Sequence, residues 1–138
     1  MENFSLLIRV KNRLDNLETI SHAVDSMPDT LCFSKKKRCE IQLILEELFT
    51  NIVNHGFTDK EEHEIEIELS CCKGDMVIRI EDDGDPFNPM NQSSPDTRCA
   101  IEERLVGGLG IHFVKCFIDS CSYERKNNKN IMTLKKSR

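Results

Sequence analysis

Two alternating segments joined by a short turn constrain the fold of this chain more than any other feature. In HEIEIELSC (63–71) and MVIRIED (76–82), apolar residues occupy every second position, which is the period of a half-buried strand. Lys73, Gly74 and Asp75 lie between the two segments and are typical of a turn. The sequence therefore predicts an antiparallel hairpin whose apolar face must be covered by other elements.

Helical periodicity predicts the elements that cover this face. Residues 13–27 carry apolar side chains at helical spacing, and a longer amphipathic helix is predicted from 35 to about 55. Ser34 is expected to be the N-cap of the longer helix, and Gly56 is expected to end it at the C′ position. A third helix is predicted to follow the glycines of GGLGIHFVKCFID (107–119).

Further strands extend the predicted sheet. FSLLIRVKN (4–12) alternates like the first two strands, and the segments SCSYERK (120–126) and NIMTLKK (130–136) flank a predicted hairpin turn at Asn127–Lys129. The order β-α-α-β-β-loop-α-β-β predicts an α+β two-layer sandwich, with a mixed, largely antiparallel sheet and helices on one face. No repeat or linker divides the sequence, so residues 1–138 are interpreted as a single domain.

The composition excludes several classes of protein. Hydrophobic residues make up 38% and charged residues 31% of the 138 residues, which is typical of a globular chain rather than a disordered one. A formal net charge of −5 argues against a nucleic-acid partner. No apolar run approaches the roughly 18 residues of a membrane span, and the N-terminus lacks the apolar stretch of a signal peptide. The seven cysteines include the adjacent Cys71 and Cys72 and favour reduced thiols, so a cytoplasmic location is expected.

A polar ridge on the longer helix is the first candidate site. Glu47, Asn51 and His55 follow one another at steps of four and therefore stack on one side of a helix that is otherwise apolar. A solvated helix face accounts for such a ridge equally well. Asparagine is a poor helix former, however, and the presence of both Asn51 and Asn54 indicates a local reason for it.

An acidic step at the end of a predicted strand is the second candidate site. In IRIEDDGDPFNP (78–89), Asp82 ends the strand two residues before Gly84, and Pro86 and Phe87 follow. An aspartate in this place can direct its carboxylate into a pocket, while the glycine lets the backbone pass close to a ligand. A plain acidic turn is the alternative interpretation.

Glycines that lead directly into a helix are the third candidate site. Gly107, Gly108 and Gly110, with Leu109 among them, precede the predicted third helix. Backbone N–H groups at a helix start favour an anion, so phosphate binding is expected here. The spacing matches neither the P-loop nor the dinucleotide-binding fingerprint.

Taken in order, these three stretches resemble the Bergerat ATP-binding fold, which is the superfamily of gyrase-type ATPases, chaperone ATPases, histidine kinases and mismatch-repair proteins. The short chain and the segments TNIVNHGF (50–57) and DDGDPFNP (82–89) look most like the anti-sigma-factor serine/threonine kinases. The resemblance covers nearly the whole sequence and implies that the predicted sandwich binds ATP and Mg²⁺.

The resemblance assigns roles to the polar ridge. Asn51 matches the asparagine that holds Mg²⁺ against the ATP phosphates, and Glu47 matches the carboxylate proposed as the general base of phosphoryl transfer. His55 matches the end of the same motif, where a structural or phosphate-side role is expected. Glu46 precedes Glu47, but the four-residue spacing to Asn51 favours Glu47 as the base.

The resemblance also assigns the contacts to the nucleotide. Asp82 matches the aspartate that accepts a hydrogen bond from the exocyclic amine of adenine, and Gly84 lets the base lie close. Phe87 joins the nucleotide-binding set through the Pro-Phe step that the anti-sigma subgroup shares. Residues 88–106 match the lid over ATP. The loop around the phosphates is matched by Gly107, Gly108, Leu109 and Gly110.

Other positions are assigned less directly. Arg98 and Arg104 lie in the predicted lid, and their charge makes either a candidate for the γ-phosphate. The glycine-threonine step that is frequent before the last strand of the family reads Asn-Lys-Asn here (128–130), and Thr133 is the candidate for the adenine-side threonine.

The function implied by the resemblance is that of an anti-sigma-type kinase. Such a protein phosphorylates a serine of a small antagonist (anti-anti-sigma) protein, sequesters a sigma factor in a partner switch, and acts as a homodimer. Two alternatives stay open, namely a non-catalytic ATP-binding module that only sequesters a partner, and the ATP-binding half of a split histidine kinase. No helical hairpin with a phosphoacceptor histidine is predicted, which argues against histidine-kinase catalysis within this chain.

Overall fold

A five-stranded sheet forms the centre of the computed structural model, which describes residues 4–27, 34–72, 74–88 and 114–137. Its strands are β1 (Phe4–Lys11), β2 (Glu64–Cys72), β3 (Asp75–Asp82), β4 (Ser120–Lys126) and β5 (Lys129–Lys136). They lie in the order β1-β2-β3-β5-β4, and each neighbouring pair is antiparallel. The last strand, β5, therefore lies beside β3 rather than at the edge of the sheet.

One apolar row crosses the sheet and marks its buried face. Ile8 pairs with Ile67, Ile67 with Ile80, and Ile80 with Met132, and all four side chains are buried. The alternation of β2 and β3 that the sequence predicts thus faces one core.

Two tight turns set the register of the hairpins. Gly74 has a φ of 88° between β2 and β3, a conformation that side chains with a Cβ rarely adopt. Between β4 and β5, Asn127 and Asn128 have φ values of 54° and 62°, as a two-residue hairpin loop requires. The hairpin predicted around Asn127–Lys129 is confirmed, with Lys129 already in β5.

Two helices precede the β2–β3 hairpin. The helix predicted over 13–27 is a 3-10 turn at Leu14–Asn16 followed by α1 (Leu17–Asp25), and α2 spans Lys35–His55. Ser34 caps α2, because its hydroxyl oxygen accepts a hydrogen bond from the Lys37 N–H at 3.1 Å.

Gly56 ends α2 in a manner that differs from the predicted one. Its φ is −86°, which is right-handed, so the left-handed C′ geometry typical of helix-ending glycines is not adopted. A Cβ at this position would lie 2.6 Å from the carbonyl oxygen of Ile52. Steric exclusion, rather than a positive φ, accounts for glycine here.

The helices cover one face of the sheet. Their buried side chains join those of the strands in one hydrophobic cluster, to which α2 contributes Ile41, Ile44, Leu45, Leu48, Phe49 and Ile52. The alternate residues of β3 remain half-buried on the opposite face. The predicted α+β two-layer sandwich is therefore confirmed, with antiparallel pairing throughout the described strands. Neither α1 nor α2 is long and apolar enough to cross a membrane.

Candidate functional site

The end of α2 and the end of β3 meet at two glycines. The N–H of Asp85 donates a hydrogen bond to the carbonyl oxygen of Gly56 at 2.8 Å. A Cβ on Gly84 would lie 2.4 Å from that same carbonyl oxygen and 3.0 Å from Phe57 Cε1. The close contact brings the first two candidate sites together at one end of the molecule, and it requires glycine at position 84.

Asp82 is buried at the end of β3, with 5% of its surface exposed. Its Oδ1 accepts hydrogen bonds from the Gly84 N–H at 2.9 Å and from Asn130 Nδ2 at 3.0 Å. Burial raises the pKa of the Asp82 carboxyl, while these two hydrogen bonds oppose the rise. Both hydrogen bonds that the described residues give this carboxylate go to Oδ1, and none of the described residues donates to Oδ2.

Asn130 holds the turn after β3, and the sequence analysis did not identify it. Its Nδ2 also donates to the carbonyl oxygen of Asp85 at 2.8 Å, and its Oδ1 accepts from the Phe87 N–H at 3.3 Å and from the Tyr123 hydroxyl. The buried side chain therefore uses its two donors and accepts twice. The pattern of β5 contained a signal for this role, because Asn130 has the same phase as the apolar positions 132 and 134.

Thr133 lies on the other face of the sheet. In the register of β3 and β5, Asp82 pairs with Asn130, whereas Thr133 pairs with Arg79 among the half-buried outer positions. The residue beside the Asp82 carboxylate is thus Asn130, and the candidacy of Thr133 as an adenine-side residue is wrong in this geometry.

The polar ridge of α2 is buried at Asn51, half-buried at Glu47 and exposed at His55. Asn51 is 8% exposed, and its Nδ2 donates to the carbonyl oxygen of Glu47 at 2.8 Å. Among the described residues, none donates a hydrogen bond to Oδ1 of Asn51. Burial raises the pKa of the Glu47 carboxyl, and the charge of Glu46 adds to the rise.

Glu46 and Glu47 face different surroundings. Glu46 is exposed and lines a small cavity between α1 and α2, together with Leu17, Ile20, Ser21 and Gln42. Glu47 is half-buried on the ridge that includes Asn51. Glu46 and Glu47 are adjacent in the sequence, but their side chains point to different parts of the structure.

His55 and Phe87 connect the ridge to the turn after β3. Their ring centroids are 6.2 Å apart and the rings are tilted by 53°. Because the Phe87 N–H donates to Asn130, the aromatic side chain is placed by the same asparagine that holds Asp82. The described part of the predicted site therefore contains Glu47, Asn51, His55, Asp82, Gly84 and Phe87 in one region.

The remaining predicted positions lie outside the described residues. They are the loop of Gly107, Gly108, Leu109 and Gly110, with Arg98 and Arg104, and the predicted lid beyond Asn88.

The arrangement offers two kinds of ligand contact. A buried carboxylate with one uncommitted oxygen is an acceptor for an N–H group of a ligand. The Asn51 carbonyl oxygen and the neighbouring Glu47 carboxylate are oxygen donors of the type that Mg²⁺ prefers. The residues present therefore fit a magnesium-bound nucleotide.

Comparison with known proteins identifies relatives of the chain. The family of the histidine kinase-like ATPase domain matches residues 10–136. The serine/threonine-protein kinase BtrW of Bordetella bronchiseptica is 28% identical over 102 residues, which is 74% of this chain and 72% of that protein. An anti-sigma F factor of Clostridium botulinum is 29% identical over 97 residues, which is 65% of this chain and 63% of that protein. The serine-protein kinase RsbW of Oceanobacillus iheyensis is 25% identical over 112 residues, which is 75% and 68% of the two chains.

Proposed function

The chain belongs to the histidine kinase-like ATPase domain family, and on that premise we propose that it is an ATP-binding serine/threonine protein kinase of the anti-sigma type. The observation that carries the proposal is the contact between Gly56, which ends the helix of Glu47 and Asn51, and the Gly84–Asp85 turn, which follows Asp82. Neighbouring segments thereby supply two kinds of group. Asp82 is a buried acceptor for the adenine, and Asn51 and Glu47 offer oxygen ligands at the phosphate end.

Asp82 reads the adenine. Its Oδ2 accepts a hydrogen bond from the exocyclic amine, while Oδ1 stays bonded to Gly84 and Asn130. Because burial makes ionisation of Asp82 costly, a donor from the ligand compensates for water that the folded chain has removed. A base without that amine leaves Oδ2 of Asp82 without a donor, which is how the site would prefer adenine.

Asn51 and Glu47 act at the phosphate end. Asn51 holds the metal through Oδ1, since its Nδ2 is committed to the Glu47 carbonyl oxygen. Magnesium, when bound, supplies positive charge against the phosphate oxygens. The loop of Gly107, Gly108, Leu109 and Gly110 is proposed to surround those phosphates, with residues 88–106 as the lid.

Glu47 is the general base. A carboxyl whose pKa is raised by burial is a better proton acceptor at neutral pH than an ordinary surface glutamate. Glu47 takes the proton of the attacking serine hydroxyl, and the neighbouring Asn51 keeps the phosphate end in place. His55 and Phe87, whose ring centroids are 6.2 Å apart, are proposed to contact the nucleotide between these two ends.

The names of three relatives support a proposal for the partners of the chain. Two of them are named serine or serine/threonine-protein kinases and one is named an anti-sigma F factor. We propose that this chain phosphorylates a small antagonist protein on serine and binds a sigma factor, as a cytoplasmic homodimer with neither nucleic acid nor membrane as a partner.

The first test is nucleotide binding. Calorimetry of the full chain with Mg-ATP and Mg-ADP should detect binding, and either nucleotide should raise the melting temperature because it binds the native state. A complete lack of binding at millimolar nucleotide contradicts the proposal at its root.

The second test is phosphoryl transfer. Proteins that co-purify with the chain from its native cell are incubated with it and γ-labelled ATP, and the labelled amino acid is identified. Phosphoserine on a partner supports the proposal. Phosphohistidine would assign the chain to a split histidine kinase, and binding without transfer would make it a non-catalytic sequestering module.

A further inference from the structure

His63 lies between two carboxylates that come from different segments. Its Nε2 is 2.8 Å and 3.0 Å from the two carboxylate oxygens of Asp59, and its Nδ1 is 3.0 Å from Oδ1 of Asp83. Ionised carboxylates accept hydrogen bonds but cannot donate them. Both ring nitrogens must therefore donate, and only the protonated imidazolium ring carries two N–H groups.

The ring of His63 is held firmly on the protein. The His63 N–H donates to Asn12 Oδ1 at 2.8 Å, and the Asn12 N–H donates to the His63 carbonyl oxygen at 2.9 Å. The imidazole also stacks on Phe57, with ring centroids 4.6 Å apart and an interplanar angle of 21°. Only 16% of the side chain is exposed. The bonds to Asp59 and Asp83 thus start from a fixed point.

This point lies directly behind the Asp82 turn. Asp83 stands between Asp82 and Gly84 in the chain, and its carboxylate is one of the two that His63 contacts. Phe57, on which His63 stacks, lies 3.0 Å from where a Cβ of Gly84 would be. The imidazolium therefore ties the segment after α2 to the turn that carries the buried carboxylate.

We propose that protonated His63 is a positioning residue that holds the Asp83–Gly84 turn, and with it the Asp82 carboxylate, in the geometry that binds nucleotide, so that nucleotide affinity decreases as His63 loses its proton. The inference rests on the nucleotide site of the proposed function and adds to it a dependence on pH. His63 acts through the turn and does not itself contact the nucleotide.

The neutral ring cannot maintain both contacts. It has one N–H and one lone pair, so one carboxylate loses its donor and faces the lone pair instead. Other charged groups near the ring are Glu61 on the same segment and Asp85 on the turn. Arg125 of β4 lines the same cavity, but its Nη1 donates to the Gly84 carbonyl oxygen at 2.7 Å. The carboxylates around His63 thus favour its cation.

The direction of the pH dependence follows from the same contacts. The hydrogen bond to Asp59 raises the pKa of His63, partial burial opposes the rise, and Asp83 adds to it. Both contacts of the protonated ring, to Asp59 and to Asp83, are therefore complete at a pH below the usual histidine pKa of about 6.5. This pair of contacts, which forms the tether, is lost as the pH rises through the raised pKa of the folded protein.

The test compares ADP binding by calorimetry from mildly acid to mildly alkaline pH in the wild type, in His63→Gln and in His22→Gln. The glutamine introduced by His63→Gln keeps an N–H donor but carries no charge, and His22 is an exposed residue of α1 that serves as the matched control. Titration of the ADP phosphates is common to all three proteins and cancels in the ratio of their dissociation constants.

The wild type and His22→Gln should bind ADP more tightly than His63→Gln at acid pH by about fivefold or more, the lower end of typical coupling between linked sites. The advantage should disappear at alkaline pH, where the wild-type ring has lost its proton. A constant ratio between wild type and His63→Gln across this range overturns the inference.

A second measurement does not depend on nucleotide. Imidazole nitrogen NMR of the apo protein should find a His63 pKa above that of an ordinary histidine, and Asp83→Asn should lower this pKa because a negative charge is removed. If ADP binds to none of the proteins, the proposed function fails, and the NMR titration alone decides whether the tether exists. A His63 pKa that is the same in the wild type and in Asp83→Asn removes the tether.

Discussion

The side-chain amide of Asn130 donates a hydrogen bond to the carboxylate of Asp82, with Nδ2 3.0 Å from Oδ1. The two residues are direct partners in the β3–β5 register, and both side chains are on the buried face. Through this contact the last strand of the sheet fixes the orientation of the carboxylate at the end of β3. The contact with Asn130 therefore also sets the direction in which the other carboxylate oxygen, Oδ2, points.

Replacing Asn130 by alanine should damage both stability and binding. The change leaves the Asp85 carbonyl oxygen and the Phe87 N–H without their partner, and Asp82 loses a donor. Since each buried polar group left unsatisfied costs about 1–3 kcal/mol, the free energy of unfolding should fall by at least about 2 kcal/mol. Adenine nucleotide affinity should fall by about tenfold or more, as expected for a lost hydrogen bond to a charged group. Denaturant unfolding and calorimetry measure the two effects.

Thr133→Ala is the matched control for Asn130→Ala. The residue is in the same strand but on the outer face, opposite Arg79. It should leave nucleotide affinity unchanged. A loss of affinity in Thr133→Ala that equals the loss in Asn130→Ala would show that strand β5 as a whole, rather than the Asn130 amide, supports the site.

The sequence was sufficient to predict the fold because its periodicities are local. The alternation of 63–71 and 76–82 follows directly from which residues face the core, and the Ser34 cap is a contact within one helix turn. The helix predicted over 13–27 was less accurate. Its first turn is a 3-10 turn, at a junction where the Asn16 side chain donates to the Lys11 carbonyl oxygen.

The contacts that build the site are distant in sequence and could not be predicted in the same way. Asn130 is 48 residues from Asp82 in the chain, and only the register of β5 against β3 puts the two together. The expectation for Thr133 rests on its residue type, whereas the phase of the strand turns its side chain outward. The difference between Glu46 and Glu47 likewise depends on the packing of α1 against α2, which the helix pattern alone does not contain.

Adding a methyl group at Gly84 should separate the two halves of the site. The new Cβ would stand 2.4 Å from the Gly56 carbonyl oxygen and 3.0 Å from Asp82 Oδ1, so the turn must move away from the end of α2. We expect Gly84→Ala to lower the free energy of unfolding by about 1–3 kcal/mol, as overpacked positions do, and to weaken nucleotide binding. Asp85→Ala is the control, because the bond from position 85 to Gly56 is made by the main chain and is retained. Equal stability of Gly84→Ala and the wild type in denaturant unfolding would mean that the backbone relaxes without cost.

Asp82→Asn should separate stability from function. The raised pKa of Asp82 means that the folded state loses stability as the pH rises from the unfolded value of 3.8 through the higher pKa of the folded protein, because burial makes the ionised carboxylate costly. Asparagine keeps an acceptor for Gly84 and Asn130 but carries no charge. At pH 7 the apo variant should therefore melt at the wild-type temperature or higher, while ADP no longer raises its melting temperature. A variant that melts well below the wild type and still responds to ADP would contradict both parts.

Substitutions of Glu46, Glu47 and Asn51 should have different effects on ATP binding and phosphoryl transfer. Asn51→Ala removes a proposed metal ligand and should weaken both Mg-ATP binding and phosphoryl transfer. Glu47→Gln is nearly isosteric and should leave ATP binding within about threefold but slow transfer by about 10²–10⁴, the usual contribution of a positioned base. Glu46→Gln should preserve both, since Glu46 is exposed toward the cavity beside α1.

Calorimetry and single-turnover transfer to the identified partner measure these effects. Loss of transfer in Glu46→Gln with full transfer in Glu47→Gln would move the base by one residue. Robust transfer in both variants would mean that this face of α2 is not catalytic.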